Sequence, residues 1–221
     1  MRPLINSILT SKWTKAVVFF VCLVPLDILI WRVYQENLTA NPIEFVEHWF
    51  GDWTMRFLLI TLAITPLRKL PGLPLLVRFR RMLGLFAFFY ACLHFSAWIG
   101  LDRFFNLQDM WADVLKRRFI TVGFAGFVLL IPLAITSTAG WIRRLGGRRW
   151  QMLHRAIYIT AICGVIHYAW LVKSNEHKPL QYAAILGVLL GWRAVLWLYG
   201  RKKHAGARPA VSAEPTTAES A

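Results

Sequence analysis

Three histidines, His94, His154 and His167, stand inside long apolar stretches of the sequence. A charged side chain near the middle of a bilayer costs about 2.5–3.5 kcal/mol on insertion scales, so an ionisable residue there indicates a functional site. His154 and His167 are 13 residues apart, which is about 20 Å along an ideal helix. If the stretches that carry His94 and His167 both run outward through a membrane, these two imidazoles lie at similar depth. They can then ligate one heme iron from both sides.

Each of these histidines also has a simpler interpretation. A single buried histidine can hydrogen-bond a neighbouring helix without binding any cofactor. His154 has no histidine at matching depth, because Arg80 and Arg81 occupy the positions where a partner on the stretch of His94 would stand. On an ideal helix, His154 and His167 also lie about 140° apart. We therefore expect His154 either to ligate a second heme with a different partner or to bind something else near the inner surface.

The apolar stretches themselves predict helices that cross a membrane. The chain has 221 residues, of which 57% are hydrophobic, and a soluble domain of this length is more polar. A helix needs about 20 apolar residues to cross the hydrocarbon layer. Unbroken apolar runs favour helices over the alternating strands of a barrel. The predicted fold class is an all-α integral membrane bundle of six transmembrane helices, at 16–34, 50–67, 82–101, 119–139, 150–172 and 180–199.

The charges predict the orientation of this bundle. The net charge is +15, but the Lys and Arg residues stand just outside alternate apolar runs, which is the positive-inside pattern and argues against nucleic-acid binding. Loop 35–49 has three glutamates and no Lys or Arg, whereas loop 140–149 holds four arginines. Loop 102–118 has mixed charges and is the weakest indication. The alternation predicts a multi-pass protein with both termini in the cytoplasm.

The sequence predicts one membrane domain and a short tail. Residues 1–200 form the predicted transmembrane domain, and residues 201–221, which are small and polar towards their end, form a predicted disordered cytoplasmic tail. Neither a GxGxxG motif nor a P-loop is present. If the protein moves electrons, another molecule must therefore supply them.

Other polar residues have predicted supporting roles. Arg56 should lie in the outer half of the second helix, where a heme propionate is a reasonable partner. Arg193 can extend its guanidinium to the inner surface. The remaining histidines, including His48, are expected to be solvated in loops or in the tail. The arginines around Arg80 indicate topology and anionic lipid, or alternatively a flavin phosphate.

Two segments also resemble a known family. They are RRMLGLFAFFYACLH and PLAITSTAGWIRRLGGRRWQMLHRAIYITAICGVIHY. Both resemble the ferric-reductase-like transmembrane domain, and within it the heme-binding membrane subunits of the bacterial protein-methionine-sulfoxide reductase system, the YedZ/MsrQ family. The resemblance covers roughly residues 10 to 200.

This resemblance implies a b-type cytochrome of the bacterial inner membrane. It implies one or two b hemes with His94, His154 and His167 as axial iron ligands, and FMN has also been associated with the family. Such a subunit takes electrons from the quinone pool or a cytosolic flavin reductase. It passes them to a periplasmic molybdopterin-containing methionine-sulfoxide reductase, its heterodimer partner, which repairs oxidised proteins. The chain would be the electron-transfer subunit, with no catalytic residue of its own.

Three alternatives remain at this point. The chain can be a ferric reductase that acts directly on metal chelates. It can be a small proton-coupled transporter without heme, whose buried His, Asp and Arg residues form a proton relay, although no internal repeat supports this. It can also be an assembly factor without a cofactor. The NADPH oxidase branch of the family has a second histidine on the third helix and a fused flavin domain, and this chain has neither.

Overall fold

The computed structural model describes residues 7, 9–69, 73–172 and 177–205, the last six by their backbone alone. The regular structure in these residues is helical, without a strand, which confirms the all-α prediction. The helices are α1 (Lys12–Tyr34), α2 (Pro42–Leu67), α3 (Val77–Ala97), α4 (Leu107–Lys116), α5 (Arg118–Ile135), α6 (Ala139–His154), α7 (Ala156–Leu171) and α8 (Lys178–Ala205). A 3₁₀ turn (Pro74–Leu76) precedes α3 and a π-helical turn (Trp98–Asp102) follows it.

Four helical segments of the described chain are long and apolar enough to cross a membrane. They are Lys12–Tyr34, Pro74–Asp102, Arg118–Ile135 and Lys178–Tyr199. The chain is therefore a helical membrane protein. Of the two other predicted spans, α2 is not among these four, and it includes the charged residues Asp52 and Arg56. The last, α7, has only 16 residues, fewer than the about 20 that a span needs. Six crossings thus remain a prediction.

The predicted helix 150–172 is in fact two helices. Arg155 separates α6 from α7 with a tighter turn, in which the Arg155 and Tyr158 amides donate to carbonyls three residues back. Within α6, Gly146 has φ 72°, a conformation that glycine adopts without a steric penalty. At the other end of the chain, α8 extends through Ala205, past the predicted domain end at residue 200. Residues 206–221 of the predicted tail lie outside the described residues.

The core consists mainly of two helix pairs, in which α2 packs along α3 and α5 packs along α7. Phe57 of α2 stacks on Tyr90 of α3 with ring centroids 5.2 Å apart. Tyr90 is fully buried and its hydroxyl donates to the carbonyl of Cys22 on α1 at 2.9 Å. Small residues let the backbones approach: Ala87 and Ala161 are also fully buried.

Helix α4 is a short amphipathic helix between two membrane spans. The chain enters it through Phe104 and Phe105, both at positive φ, and the Asn106 side chain caps its first turn. Leu107, Trp111 and Leu115 recur at four-residue spacing and are 62–76% exposed, so they form an apolar outer face. The opposite face carries Asp113, which is directed back towards the bundle.

Candidate functional site

The structure brings His94 and His167 face to face across the bundle. His94 is on α3 and His167 on α7, and their ring centroids lie 6.1 Å apart with the ring planes at 72°. An imidazole nitrogen lies about 2 Å from the metal that it binds and the ring centre about 1 Å further, so that two imidazoles on one metal have centres about 6 Å apart. The two side chains thus have the separation of a pair of axial ligands.

Backbone carbonyls orient both imidazoles. The Nδ1 atom of His94 is 2.9 Å from the carbonyl oxygen of Glu47 on α2. The Nδ1 atom of His167 is 2.7 Å from the carbonyl oxygen of Phe119 on α5. A carbonyl oxygen can only accept, so each Nδ1 carries the proton and donates it. Each Nε2 atom then keeps its lone pair for a metal, as is usual for metal-binding histidines.

A cavity of about 440 Å³ surrounds the two imidazoles, within the range of about 300–1,000 Å³ that is usual for cofactor sites. It lies between α2, α3, α5 and α7. Its inner wall is largely apolar and includes Met55, Leu58, Phe95, Phe127 and Leu130. Among the polar groups of the wall, the Thr160 hydroxyl is buried and has no hydrogen-bond partner. The inner part of the site is therefore a mostly apolar compartment.

Glycines make room for the two imidazoles. A Cβ atom at Gly123 of α5 would lie 2.6 Å from Nδ1 of His167, and one at Gly51 of α2 would lie 3.4 Å from Cε1 of His94. A Cβ atom at Gly164 would lie 2.5 Å from the sulfur of Met55. All three glycines line the cavity. Together with the free Nε2 atoms and the apolar wall, this arrangement fits a flat macrocycle whose iron takes two axial imidazoles.

Charged residues gather at one end of the cavity, which we call its mouth. Asp113 of α4 pairs with Arg103 at 2.6 Å and with Arg117 at 3.1 Å, and Arg103 also pairs with Asp102 at 3.1 Å. Glu47, which precedes the predicted span 50–67, lines the mouth as well. Burial first, and the nearby Asp102 second, raise the pKa of the Glu47 carboxyl to about 7, although Arg103 partly opposes them. Asp113 thus connects α4 to the mouth.

His154 lies outside this cavity. Its Nε2 atom is 3.0 Å from the Thr136 hydroxyl, and its ring stacks on Trp150 with the centroids 4.0 Å apart. The Trp150 indole in turn donates to the carbonyl of Thr136 at 2.9 Å. The three predicted ligands therefore fall into a facing pair and a separate histidine near the end of α5.

Three of the expectations for other polar residues are wrong. Arg56 does not line the cavity, because its position on α2 faces α8, where Nε donates to the Tyr182 hydroxyl at 3.3 Å. His48 was expected in solvent but is half-buried and lines the cavity, because α2 begins eight residues before the predicted span. Arg193 donates to the carbonyl of Leu62 at 2.7 Å instead of extending outward.

Sequence reasoning missed the two arginines at the mouth. Arg103 and Arg117 stand in a loop of mixed charge, and only the position of α4 shows that both line the cavity. It also missed the carbonyls of Glu47 and Phe119, because a carbonyl is present at every residue and no residue type marks it. Gly51 and Gly123 were the one available signal, since glycine inside an apolar helix indicates a close approach.

Comparison with known proteins identifies the family to which this chain belongs. The sequence profile of the family described as ferric reductase like transmembrane component matches residues 50–165. The protein-methionine-sulfoxide reductase heme-binding subunit MsrQ of Herminiimonas arsenicoxydans is 50% identical over 201 residues, which cover 90% of this chain and 91% of that protein. The chain belongs to the MsrQ family. Its resemblance to that family, drawn above from two segments, is thus confirmed.

Other MsrQ proteins show similar agreement. The subunit of the same name from Rhodospirillum rubrum is 48% identical and covers 88% of this chain and 93% of its own length. The one from Ralstonia nicotianae is 47% identical and covers 94% and 98%. No solved structure matches the chain. The match to MsrQ proteins therefore covers most of the chain, well beyond the two segments that carried the resemblance.

Proposed function

We propose that this chain is a b-type cytochrome subunit that carries electrons across the bacterial inner membrane to a methionine-sulfoxide reductase. The observation that carries this proposal is the facing pair His94 and His167, 6.1 Å apart with both Nδ1 atoms bonded to carbonyls. The relatives are named as heme-binding subunits, and a subunit implies a catalytic partner. In the proposal that partner is a periplasmic molybdopterin-containing enzyme, which forms a heterodimer with this chain and repairs oxidised proteins.

The residues of the chain would hold, orient and enclose the heme. His94 and His167 would bind its iron through their Nε2 atoms, and the carbonyls of Glu47 and Phe119 keep both rings in the same tautomer. The apolar wall would limit the access of water. When bound, the heme would supply reversible one-electron chemistry. A site in which two histidines hold the iron suits electron transfer better than the binding of a substrate to the metal.

The inner half of the protein receives the electrons in this proposal. With both termini cytoplasmic and six crossings, the arginines of α6 lie on the cytoplasmic side and α4 lies on the periplasmic side. The donor is the quinone pool or a cytosolic flavin reductase. His154, bonded to Thr136 near that side, ligates a second heme with a different partner or binds another group. FMN remains a prediction from the resemblance alone.

The first test is a reduced-minus-oxidised visible spectrum of the purified protein in detergent, with heme quantified per chain. We expect sharp α and Soret bands in the wild-type protein. His94→Ala and His167→Ala should each abolish the low-spin spectrum, because each removes one axial nitrogen. His177→Ala, at an exposed position, is the matched control and should leave the spectrum unchanged.

The same spectrum separates the alternatives. A colourless wild-type protein, made with adequate heme supply, would reject the cytochrome and favour the transporter or the assembly factor. Bands that persist in both histidine variants would reject the ligand assignment but keep the heme. Reduction of ferric chelates in the absence of any periplasmic protein would favour the direct ferric reductase. A ratio of one or two hemes per chain would decide whether His154 serves a second heme.

A further inference from the structure

The cavity has cationic side chains only at its mouth. Among the described residues that line it, Arg103 and Arg117 are the only arginines, and no lysine lines it. Arg103 follows the π-helical turn at the end of α3, and Arg117 directly precedes α5. Both are thus fixed at the ends of the helices that enclose the histidine pair.

Two hydrogen-bond donors at this mouth are buried without an acceptor. They are Nε of Arg103 and the indole Nε1 of Trp98, and both residues line the cavity. They stand on the same turn, where the Arg103 amide donates to the Trp98 carbonyl at 3.0 Å. A buried donor without an acceptor is costly, more so for a charged group, so the unpartnered guanidinium nitrogen of Arg103 is the stronger indication that the cavity takes up an acceptor here.

Asp113 holds both guanidinium groups in place. One of its oxygens is 2.6 Å from Nη2 of Arg103 and the other is 3.1 Å from Nε of Arg117. The Asp113 side chain is only 14% exposed and that of Arg103 20%. Nη2 of Arg103 is held by Asp113 and Asp102, whereas Nε of Arg103 is buried and has no acceptor.

We infer that Arg103 and Arg117 bind the two propionates of the heme held by His94 and His167, with Asp113 as a positioning residue. This inference rests on the proposed function. The propionates are the only charged groups on the edge of a b-type heme, and the apolar wall offers them no partner. Carboxylates such as Asp52 and Asp102 also line the mouth. Without the two guanidinium groups, the propionates would therefore face like charge.

The test removes the arginine, the charge of the propionates, or both, and compares the resulting heme affinities. Full-length apoprotein from heme-depleted cells is titrated in detergent with heme b and with its dimethyl ester, which has no charged propionate. Wild-type protein should bind heme b about tenfold more tightly than the ester, as expected for a charge-assisted pair. Arg103→Gln and Arg117→Gln should each lose about half of this preference, because each removes one of the two pairs, and both should bind the ester like wild type.

Arg118→Gln is the matched control, because Arg118 is exposed and does not line the cavity, and it should keep the wild-type preference. Equal weakening of heme b and of the ester in Arg103→Gln would overturn the inference, since it would show a purely structural role. Unchanged affinities in both variants would overturn it as well. If wild-type protein binds neither compound, the proposed function itself fails, which distinguishes the two failures.

A second measurement does not depend on apoprotein. In the holoprotein, Arg103→Gln should lower the midpoint potential of the low-spin heme, because a positive charge beside the heme favours the reduced form. The positions of the α and Soret bands should not change, since both histidines remain. An unchanged potential in both Arg103→Gln and Arg117→Gln would contradict the inference.

Discussion

At the scale of single residues, the space beside each imidazole decides whether the pair can form. A methyl group at position 123 would lie 2.6 Å from Nδ1 of His167, and it would displace the ring from the Phe119 carbonyl. We expect Gly123→Ala to lose most of the low-spin heme spectrum while the protein still inserts into the membrane. Gly187→Ala, on α8 with nothing within 4 Å of the added carbon, should retain the wild-type spectrum.

Gly51→Ala provides an intermediate case. Its added carbon would lie 3.4 Å from Cε1 of His94, a contact that a small shift of the ring can accommodate. We expect heme to be retained with a weaker affinity than in the wild-type protein and a stronger one than in Gly123→Ala. The measurement is heme content per chain after extended dialysis. An order of loss in which Gly51→Ala exceeds Gly123→Ala would contradict this explanation.

Most of what the sequence reveals about the site concerns residue types that are costly in lipid. His94 and His167 could be predicted because histidine is rare at that depth and their helices match in register. An ideal helix also predicts that His154 and His167 face different directions, but in the structure the two lie on separate helices, because α6 ends at His154 and α7 begins at Ala156. The contact of the Arg56 side chain with Tyr182 could not be predicted. It depends on α8 packing beside α2, and hydropathy and spacing do not reveal which helices become neighbours.

At the scale of elements, the two faces of α4 have different surroundings. One face connects Asp113 to the mouth of the cavity, and the other exposes Leu107, Trp111 and Leu115. Since one span ends at Asp102 and the next begins at Arg118, α4 must lie close to the membrane surface. An amphipathic helix in that position buries its apolar face at the headgroup boundary.

This position can be measured with a fluorescent probe. In a background in which Cys22, Cys92 and Cys163 are replaced by alanine, an environment-sensitive dye is attached at Trp111→Cys or at Lys116→Cys in liposomes. We expect blue-shifted emission and quenching by lipid-bound nitroxides for position 111, because the apolar face enters the lipid. Position 116 should report water. Equal quenching at both positions would show that α4 does not lie along the membrane surface.

Tyr90 attaches α1 to the rest of the bundle. Its buried hydroxyl donates to the Cys22 carbonyl, so Tyr90→Phe removes a hydrogen bond that contributes about 1 kcal/mol. In a chain of this size we expect the thermal midpoint in detergent to fall by about 2–4 °C. Tyr34→Phe, on an exposed ring, should not change the midpoint. An unaltered midpoint in Tyr90→Phe would show that this bond contributes nothing to stability.

The boundaries of elements were less predictable than their existence. The apolar runs locate α1, α3, α5 and α8 well, because length and composition alone define them. The break at Arg155 could not be predicted, since the run 150–172 has no proline and its tight turn forms through ordinary residues. The short α4 lies in loop 102–118, whose charges indicate topology but not a helix. Its apolar face is recognised only when the residues are read at helical spacing.

At the scale of the whole molecule, orientation is the property that remains to be measured. The predicted topology places loop 35–49 outside and loop 140–149 inside. In the same cysteine-free background, Asn37→Cys should react with a membrane-impermeant maleimide in intact spheroplasts. Arg148→Cys should react only after permeabilisation. The reverse pattern would invert the proposed direction of electron flow, since the histidine pair would then lie near the cytoplasm.

The pairing of helices has a consequence for how the protein is made. His94 and the carbonyl that orients it belong to α2 and α3, and His167 and its carbonyl belong to α5 and α7. Each helix pair therefore contains one half of the site, and the first pair precedes the second in the chain. A heme that contacts both histidines could consequently bind only after α7, the last of these four helices, has been synthesised.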